Sequence, residues 1–164
     1  MHSNTLHLAK QNFKFSSAHF LIFDENSAEM LHGHNYQVKV DVSCASTKQS
    51  KDLGYFIDLN VLKKMIKEHC DVWDEHILLP EKNTEMKHQL SKNGKNYDIH
   101  FRDRFYSFPV AETIWLPISN TSVENLSLLM AKNLLRKMKE FGVQKIRVTV
   151  EETRGQSASA ILAL

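Results

Sequence analysis

The sequence predicts an α+β domain in which strands and helices occupy separate stretches of the chain, and three observations predict it. From Tyr36 to Cys44 apolar residues hold the even positions and Gln, Lys, Asp and Ser the odd ones, the period of a half-buried strand. Two stretches carry apolar residues at helical spacing: Leu62, Met65, Ile66, His69 and Trp73, then Leu126, Leu129, Met130, Leu134, Met138 and Phe141. A last strand, Val143 to Glu152, turns Ile146, Val148 and Val150 inward, with Glu152 in the same phase. At 164 residues and 42% hydrophobic content, residues 1–164 read as one domain with a real core.

Each element follows from local signals. Residues 6–20 read as the first strand, because Phe13, Phe15, Ser17 and His19 alternate with Lys14, Ser16 and Ala18. Leu21 to Leu31, with Asp24-Glu25-Asn26-Ser27, is a long polar connection into a second strand over residues 34–45. A turn over Ala45 to Gly54 leads to Tyr55-Phe56-Ile57, and Asp58 is a good N-cap for a helix ending near Val72. Residues 81–113 are the least regular part. Tyr97, Ile99 and Phe101 alternate, Arg102-Asp103-Arg104 can turn the chain, and Phe105, Tyr106 and Phe108 run back to Pro109, which reads as a short inserted hairpin. Thr121 with Glu124 forms a capping box for the second helix, and Gly142 stops it.

Composition excludes several function classes. A net charge of +2, a pI near 8.5 and no basic stripe interleaved with aromatics argue against a nucleic-acid partner. Cys44 and Cys70 are far apart and form no CxxC, which fits a reducing cytoplasm and offers neither a disulfide framework nor a thiolate zinc site. The opening MHSNTLHLAK has no apolar core of a leader, and no run approaches 18 apolar residues, so neither secretion nor a membrane span is expected.

The polar residues on apolar faces carry the chemistry, since a buried charge without a partner is expensive. His32 and His34 are two apart on a strand and project from one face, and His19 ends the preceding strand on its apolar side. One such histidine alone is a hydrogen-bonded core imidazole. Three together read as a metal site, and imidazole suits Zn2+, with a fourth position left for water or substrate. Glu152 is either a strand-end carboxylate reaching water or a pocket floor able to accept two parallel N–H donors. Asp74-Glu75-His76 is either a solvated helix end or an imidazole oriented by a carboxylate for acid–base work near neutral pH. His2, His7, His69, His88 and His100 have no such context and read as surface or packing residues.

These residues carry a resemblance. Phe15-Ser16-Ser17-Ala18-His19, His32-Gly33-His34-Asn35-Tyr36, Glu75-His76 before Leu78-Leu79-Pro80, Thr121-Ser122-Val123-Glu124-Asn125 and Val150-Glu151-Glu152-Thr153 resemble the successive motifs of the 6-pyruvoyltetrahydropterin and 6-carboxytetrahydropterin synthase family, over roughly residues 8–162. The resemblance implies a tunnelling fold (T-fold): a four-stranded antiparallel sheet with two helices on one face, in the order β-β-α-α-β-β, here with an inserted hairpin. It further implies three subunits closing a barrel, two such trimers stacked into a homo-hexamer, and active sites between subunits. By motif, His19, His32 and His34 would hold zinc, and Glu152 would anchor a pterin ring that Ser122 and the neighbouring Thr121 would also contact. His76 would be the relay histidine, with Glu75 or Asp74 as its carboxylate.

The chain departs from the family pattern at the nucleophile. Ser27-Ala28-Glu29-Met30-Leu31 stands where most members have a cysteine, and Glu29 resembles the glutamate of a variant group in which a carboxylate replaces the thiol. A thiol titrates near pH 8.5 and a carboxyl near 4.3, so the two move protons at different points of a reaction. The implied substrate is 7,8-dihydroneopterin triphosphate, and the glutamate variant implies side-chain cleavage to 6-hydroxymethyl-7,8-dihydropterin for folate synthesis. The 6-pyruvoyl product, the 6-carboxy product leading to deazapurine tRNA modification (the queuosine branch), and a non-catalytic zinc- and pterin-binding oligomer are the alternatives.

Overall fold

The alternation read as one strand over residues 6–20 is broken by a turn, closed where the Phe13 N–H donates to the Lys10 carbonyl at 3.0 Å. Two strands result: β1 (Thr5–Leu8) and β2 (Lys14–His19). The period of two survives on both sides of the turn, which is why a pattern reading joins them. The computed structural model describes residues 4–44, 54–55 and 57–164, so most of the polar turn read over Ala45 to Gly54, and Phe56 beyond it, lie outside the described residues. After β2 come β3 (His32–Cys44), α1 (Leu59–Trp73), β4 (His76–Pro80), β5 (Met86–Leu90), β6 (Asn96–Phe101), β7 (Arg104–Pro109), β8 (Thr113–Leu116), α2 (Val123–Met138), β9 (Val143–Thr153) and β10 (Gln156–Ala163).

These elements form two compact units, whose boundaries fall inside β2 and β3 and at the end of α1. The first comprises the described residues of Met1–Phe15, Asn35–Val72 and Val123–Leu164. Its sheet is antiparallel: β1 pairs with β3 from Thr5 opposite Ser43 to Leu8 opposite Val40, β3 pairs with β9, and β9 pairs with β10. The alternation in β3 buries Tyr36, Val38, Val40 and Val42, and that in β9 buries Ile146, Val148 and Val150. Helix α2 packs its stripe of Leu126, Met130 and Leu134 toward β9 and β10. In α1 the buried positions are Leu62, Ile66, His69, Cys70 and Trp73. Asp58 caps this helix as its sequence position predicts, accepting the Asn60 N–H at 2.8 Å. Full burial of a large aliphatic side chain contributes about 1.5–3 kcal/mol, so the helix stripes and the buried strand faces together stabilise the unit.

The second unit comprises Ser16–His34 and Trp73–Ser122. Here β2, β4 and β8 run parallel, with Ser17 beside His76 and Leu78 beside Ile114. β4 and β8 go beyond the strands the sequence signals: His76-Ile77-Leu78-Leu79-Pro80 is a short apolar run that periodicity alone cannot assign. The insertion is a separate three-stranded antiparallel sheet, β5-β6-β7, rather than a two-stranded hairpin. Its strand β5, Met-Lys-His-Gln-Leu, buries only Met86, so no alternation announced it. Phe20, Leu79, Met86, Ile99 and Phe101 form this unit's core, with Leu31, Tyr106, Phe108 and Trp115 packed on it.

Candidate metal centre and catalytic site

The end of β2 and the start of β3 bring three imidazoles together. The ligand atoms of His19, His32 and His34 all lie within 4.8 Å of one another, and among the described residues this is the one such group of His, Cys, Asp or Glu side chains. His19 is fully buried, whereas His32 and His34 are half-buried. Two of the three rings are oriented by backbone. Nδ1 of His19 lies 3.0 Å from the Thr121 carbonyl and Nδ1 of His32 lies 2.7 Å from the Met30 carbonyl. A carbonyl only accepts, so each Nδ1 carries the proton and each Nε2 presents its lone pair, the tautomer a metal requires. Nε2 of His32 and Nε2 of His34 stand 2.7 Å apart, a distance at which two lone pairs repel unless a proton or a cation lies between them. An all-nitrogen set of three neutral imidazoles is one that zinc accepts.

Glu29 stands beside this group. Its Oε2 is 3.8 Å from Nε2 of His32 and accepts the Leu21 N–H at 2.9 Å, while its own N–H donates to the Leu21 carbonyl at 2.8 Å. The connection from β2 to β3 is therefore folded on itself. Asp24 accepts the N–H groups of Asn26 and Ser27 at 2.7 and 2.8 Å, and these bonds, the one to Asn26 foremost, hold its carboxyl below the usual range. Asn120 grips Ile22 from both sides, accepting its N–H at 3.2 Å and donating to its carbonyl at 2.8 Å. Thr121 has no exposed surface. Its hydroxyl donates to the Phe20 carbonyl at 3.1 Å and lies 3.3 Å from Nδ1 of His19. The capping-box reading of Thr121 is thereby corrected: α2 begins at Val123, and the Thr121 hydroxyl is spent on Phe20 and His19.

The Asp74-Glu75-His76 segment is the exit from α1. Glu75 takes a left-handed conformation, φ 59°, and its N–H donates to the Ser16 carbonyl at 2.7 Å. The Asp74 carboxylate accepts the Ser16 N–H at 2.7 Å. These two bonds set His76 beside Ser17 on β2. Nδ1 of His76 lies 2.6 Å from the Asp74 carbonyl, so a backbone oxygen orients this ring, and the Asp74 carboxylate serves the chain turn. Glu75 is exposed.

In the first unit, Glu152 sits where its phase predicts, half-buried at the end of β9. The register that sets Gln37 opposite Glu151 places Tyr36 one step further on, and its hydroxyl donates to Oε1 of Glu152 at 3.1 Å. The Tyr36 ring is itself stacked on Phe15, centroids 4.6 Å apart. Sequence reasoning passed over Tyr36 as a partner of Glu152, though the antiparallel pairing of the two motifs was the available signal. It also passed over Asn120, whose two bonds to residues 98 positions away have no local signature. Both cysteines belong to the first unit, Cys44 at the end of β3 and Cys70 within α1, leaving no thiol in the sequence of the second.

Comparison with known proteins agrees with this geometry. The 6-pyruvoyl tetrahydropterin synthase family profile matches residues 8–161. A Methanocaldococcus jannaschii protein provisionally named 6-carboxy-5,6,7,8-tetrahydropterin synthase is 30% identical over 148 residues, 88% of this chain and 87% of that one. The crystal structure of 6-pyruvoyl tetrahydropterin synthase from Plasmodium vivax superposes with a TM-score of 0.88 at 28% identity, covering 100% of both chains. The Plasmodium falciparum counterpart gives 0.87 at 30%, covering 99% of each. Two further Plasmodium vivax structures carry a catalytic glutamate changed to alanine or to cysteine. With the motifs, the α+β tunnelling fold and the matched length in agreement, the chain belongs to the 6-pyruvoyl tetrahydropterin synthase family of pterin enzymes.

Proposed function

We propose that this chain is a zinc-dependent lyase that cleaves the side chain of 7,8-dihydroneopterin triphosphate to 6-hydroxymethyl-7,8-dihydropterin, with Glu29 as the base. The observation that carries this reading is the Glu29 carboxylate 3.8 Å from Nε2 of His32, in a unit whose sequence has no cysteine. A catalytic glutamate in the Plasmodium vivax relative supports it.

His19, His32 and His34 hold the ion, their tautomers set by backbone carbonyls at two of the three rings. Zinc supplies Lewis acidity there, lowering the pKa of the substrate's side-chain hydroxyls. Glu29 removes the proton of the hydroxyl one carbon further from the ring. The bond between the two hydroxyl-bearing carbons then breaks, its electron pair going to the ring-side carbon, and the remaining two carbons leave as an aldehyde bearing the triphosphate. His76, its Nδ1 proton held on the Asp74 carbonyl, takes up a proton from solvent at Nε2 and passes it to the ring-side carbon, with Asp74 fixing the turn that carries it and Glu75 at its edge. Glu152 accepts the ring's amino and N3–H donors, steadied by Tyr36, and Ser122 contacts the same ring. Thr121 serves by orienting His19. A cytoplasmic homo-hexamer of this single domain, 1–164, with sites between subunits completes the reading, supported by β10 as an edge strand in the sheet order.

The relatives named for the 6-carboxy product keep that reaction as the second reading. Zinc-loaded protein incubated with dihydroneopterin triphosphate and analysed by mass separates them. Hydroxymethyl product is expected. Pyruvoyl or carboxy product overturns the cleavage, and unchanged substrate favours a binding protein. Glu29→Ala is expected to lower turnover by about 100-fold or more, the range of a lost general base, and undiminished turnover removes Glu29 from the mechanism.

A further inference from the structure

The Arg102-Asp103-Arg104 turn of the insertion reaches the connection that carries Glu29. Phe101 pairs with Arg104 across this turn, and Arg102 takes a left-handed conformation, φ 56°, which for a residue other than glycine needs support from its surroundings. That support is visible. Arg102 forks onto Glu85 at 2.7 and 3.0 Å and donates to the Asp24 carbonyl. On the other side of the turn, Arg104 donates through Nη1 to the Glu29 carbonyl at 2.5 Å and through Nη2 to the Ala28 carbonyl at 3.2 Å. Its guanidinium lies 6.0 and 5.9 Å from the Phe20 and Phe101 ring centroids, so it is seated on the packed core of the unit.

We infer that Arg104 is the positioning residue for Glu29 and that the inserted sheet acts as a strap, its two arginines holding the two ends of the Asp24–Glu29 segment. This role for Arg104 rests on Glu29 being the base. A planar fork bonded to consecutive carbonyls fixes the peptide plane between them, and with it the direction in which the Glu29 side chain leaves the backbone. The Leu21 N–H fixes the far end of that side chain. With both ends held, the carboxylate keeps its place by His32, and a displacement of about 1 Å at such a group costs roughly 100-fold in rate.

The test compares zinc-loaded wild type, Arg104→Met, Glu29→Ala and the double variant with dihydroneopterin triphosphate. Arg104→Met is expected to lose about 10- to 100-fold in kcat with KM and zinc per chain little changed, and to recover part of the loss when guanidinium is added. The double variant is expected to be no slower than Glu29→Ala. Wild-type kcat in Arg104→Met beside a crippled Glu29→Ala overturns the strap and leaves the base in place. Full turnover in Glu29→Ala overturns the base. A further loss in the double variant overturns the strap, since Arg104 then acts on something other than Glu29. Where Arg104→Met fails to fold, Arg104→Lys, which keeps the charge and lacks the fork, takes its place. Amide hydrogen exchange gives an answer independent of turnover. The Leu21 and Glu29 amides are expected to exchange at least about 10-fold faster without the guanidinium while those of α2 do not change, and equal exchange overturns the inference.

Discussion

At His19 and His32, what suits an imidazole to bind a metal is the atom on its far side. Each gives its Nδ1 proton to a carbonyl, at Thr121 and Met30, so that Nε2 is left for an ion. Outer partners of this kind typically contribute 10- to 100-fold in metal affinity, whereas a ligand contributes more. His34→Ala is therefore expected to lower zinc affinity by more than about 100-fold, measured as zinc per chain in competition with a chelator, and wild-type zinc content would remove His34 from the set. Three histidines in phase on two strands were legible without coordinates. The carbonyls that select their tautomers were not, because a backbone oxygen has no sequence signature.

Among the elements, helices announced themselves better than strands. Asp58 before a helical stripe marks the start of α1, and the Asp58 carboxylate does accept the Asn60 N–H. Asp58→Ala is expected to cost about 1 kcal/mol and to lower the thermal midpoint by about 2–4 °C, and an unchanged midpoint would mean that the cap contributes nothing. Strand boundaries were harder to place. β1 and β2 both alternate, on opposite parities, across an Ala-Lys-Gln-Asn turn without glycine or proline, and β4, β5 and β8 are four or five residues long with little alternation. β4 and β8 are held by partners distant in sequence, β4 lying between β2 and β8, so their existence is a tertiary fact.

At the scale of the whole molecule, acid sensitivity has an identifiable source outside the site. His69, on the buried face of α1, is 8% exposed. Burial first, and then the charge of Lys137, push its pKa from 6.5 down to about 4. The folded chain thus takes up this proton only near pH 4, whereas the unfolded chain takes it up near 6.5. Between those values the unfolded state binds more protons, so stability falls as pH is lowered from 6.5 toward 4 and is unaffected by this group above 6.5. The full loss is about 3 kcal/mol, of which about 2 kcal/mol is felt by pH 5. Urea unfolding at pH 7 and pH 5 is expected to show a smaller difference for His69→Gln than for wild type, and identical differences would place the acid sensitivity elsewhere. The sequence placed His69 on the packed stripe of α1, but the depth of its burial and the Lys137 charge beside it follow from the packed fold.

By itself the sequence determined which side chains share a face, because a strand's period of two and a helix's 3.6 are local properties of the backbone. That put His19, His32 and His34 on apolar faces and put Glu152 in line with Val148 and Val150. The tertiary structure decided what surrounds those faces. It brought Thr121 to His19 from 102 residues away, Asn120 to Ile22 and Arg104 to Glu29 from 75, and it gave the Asp74 carboxylate to Ser16 while the Asp74 carbonyl met His76. Contacts across such separations form only when the intervening chain has closed, so they follow from the packed fold rather than from any local pattern.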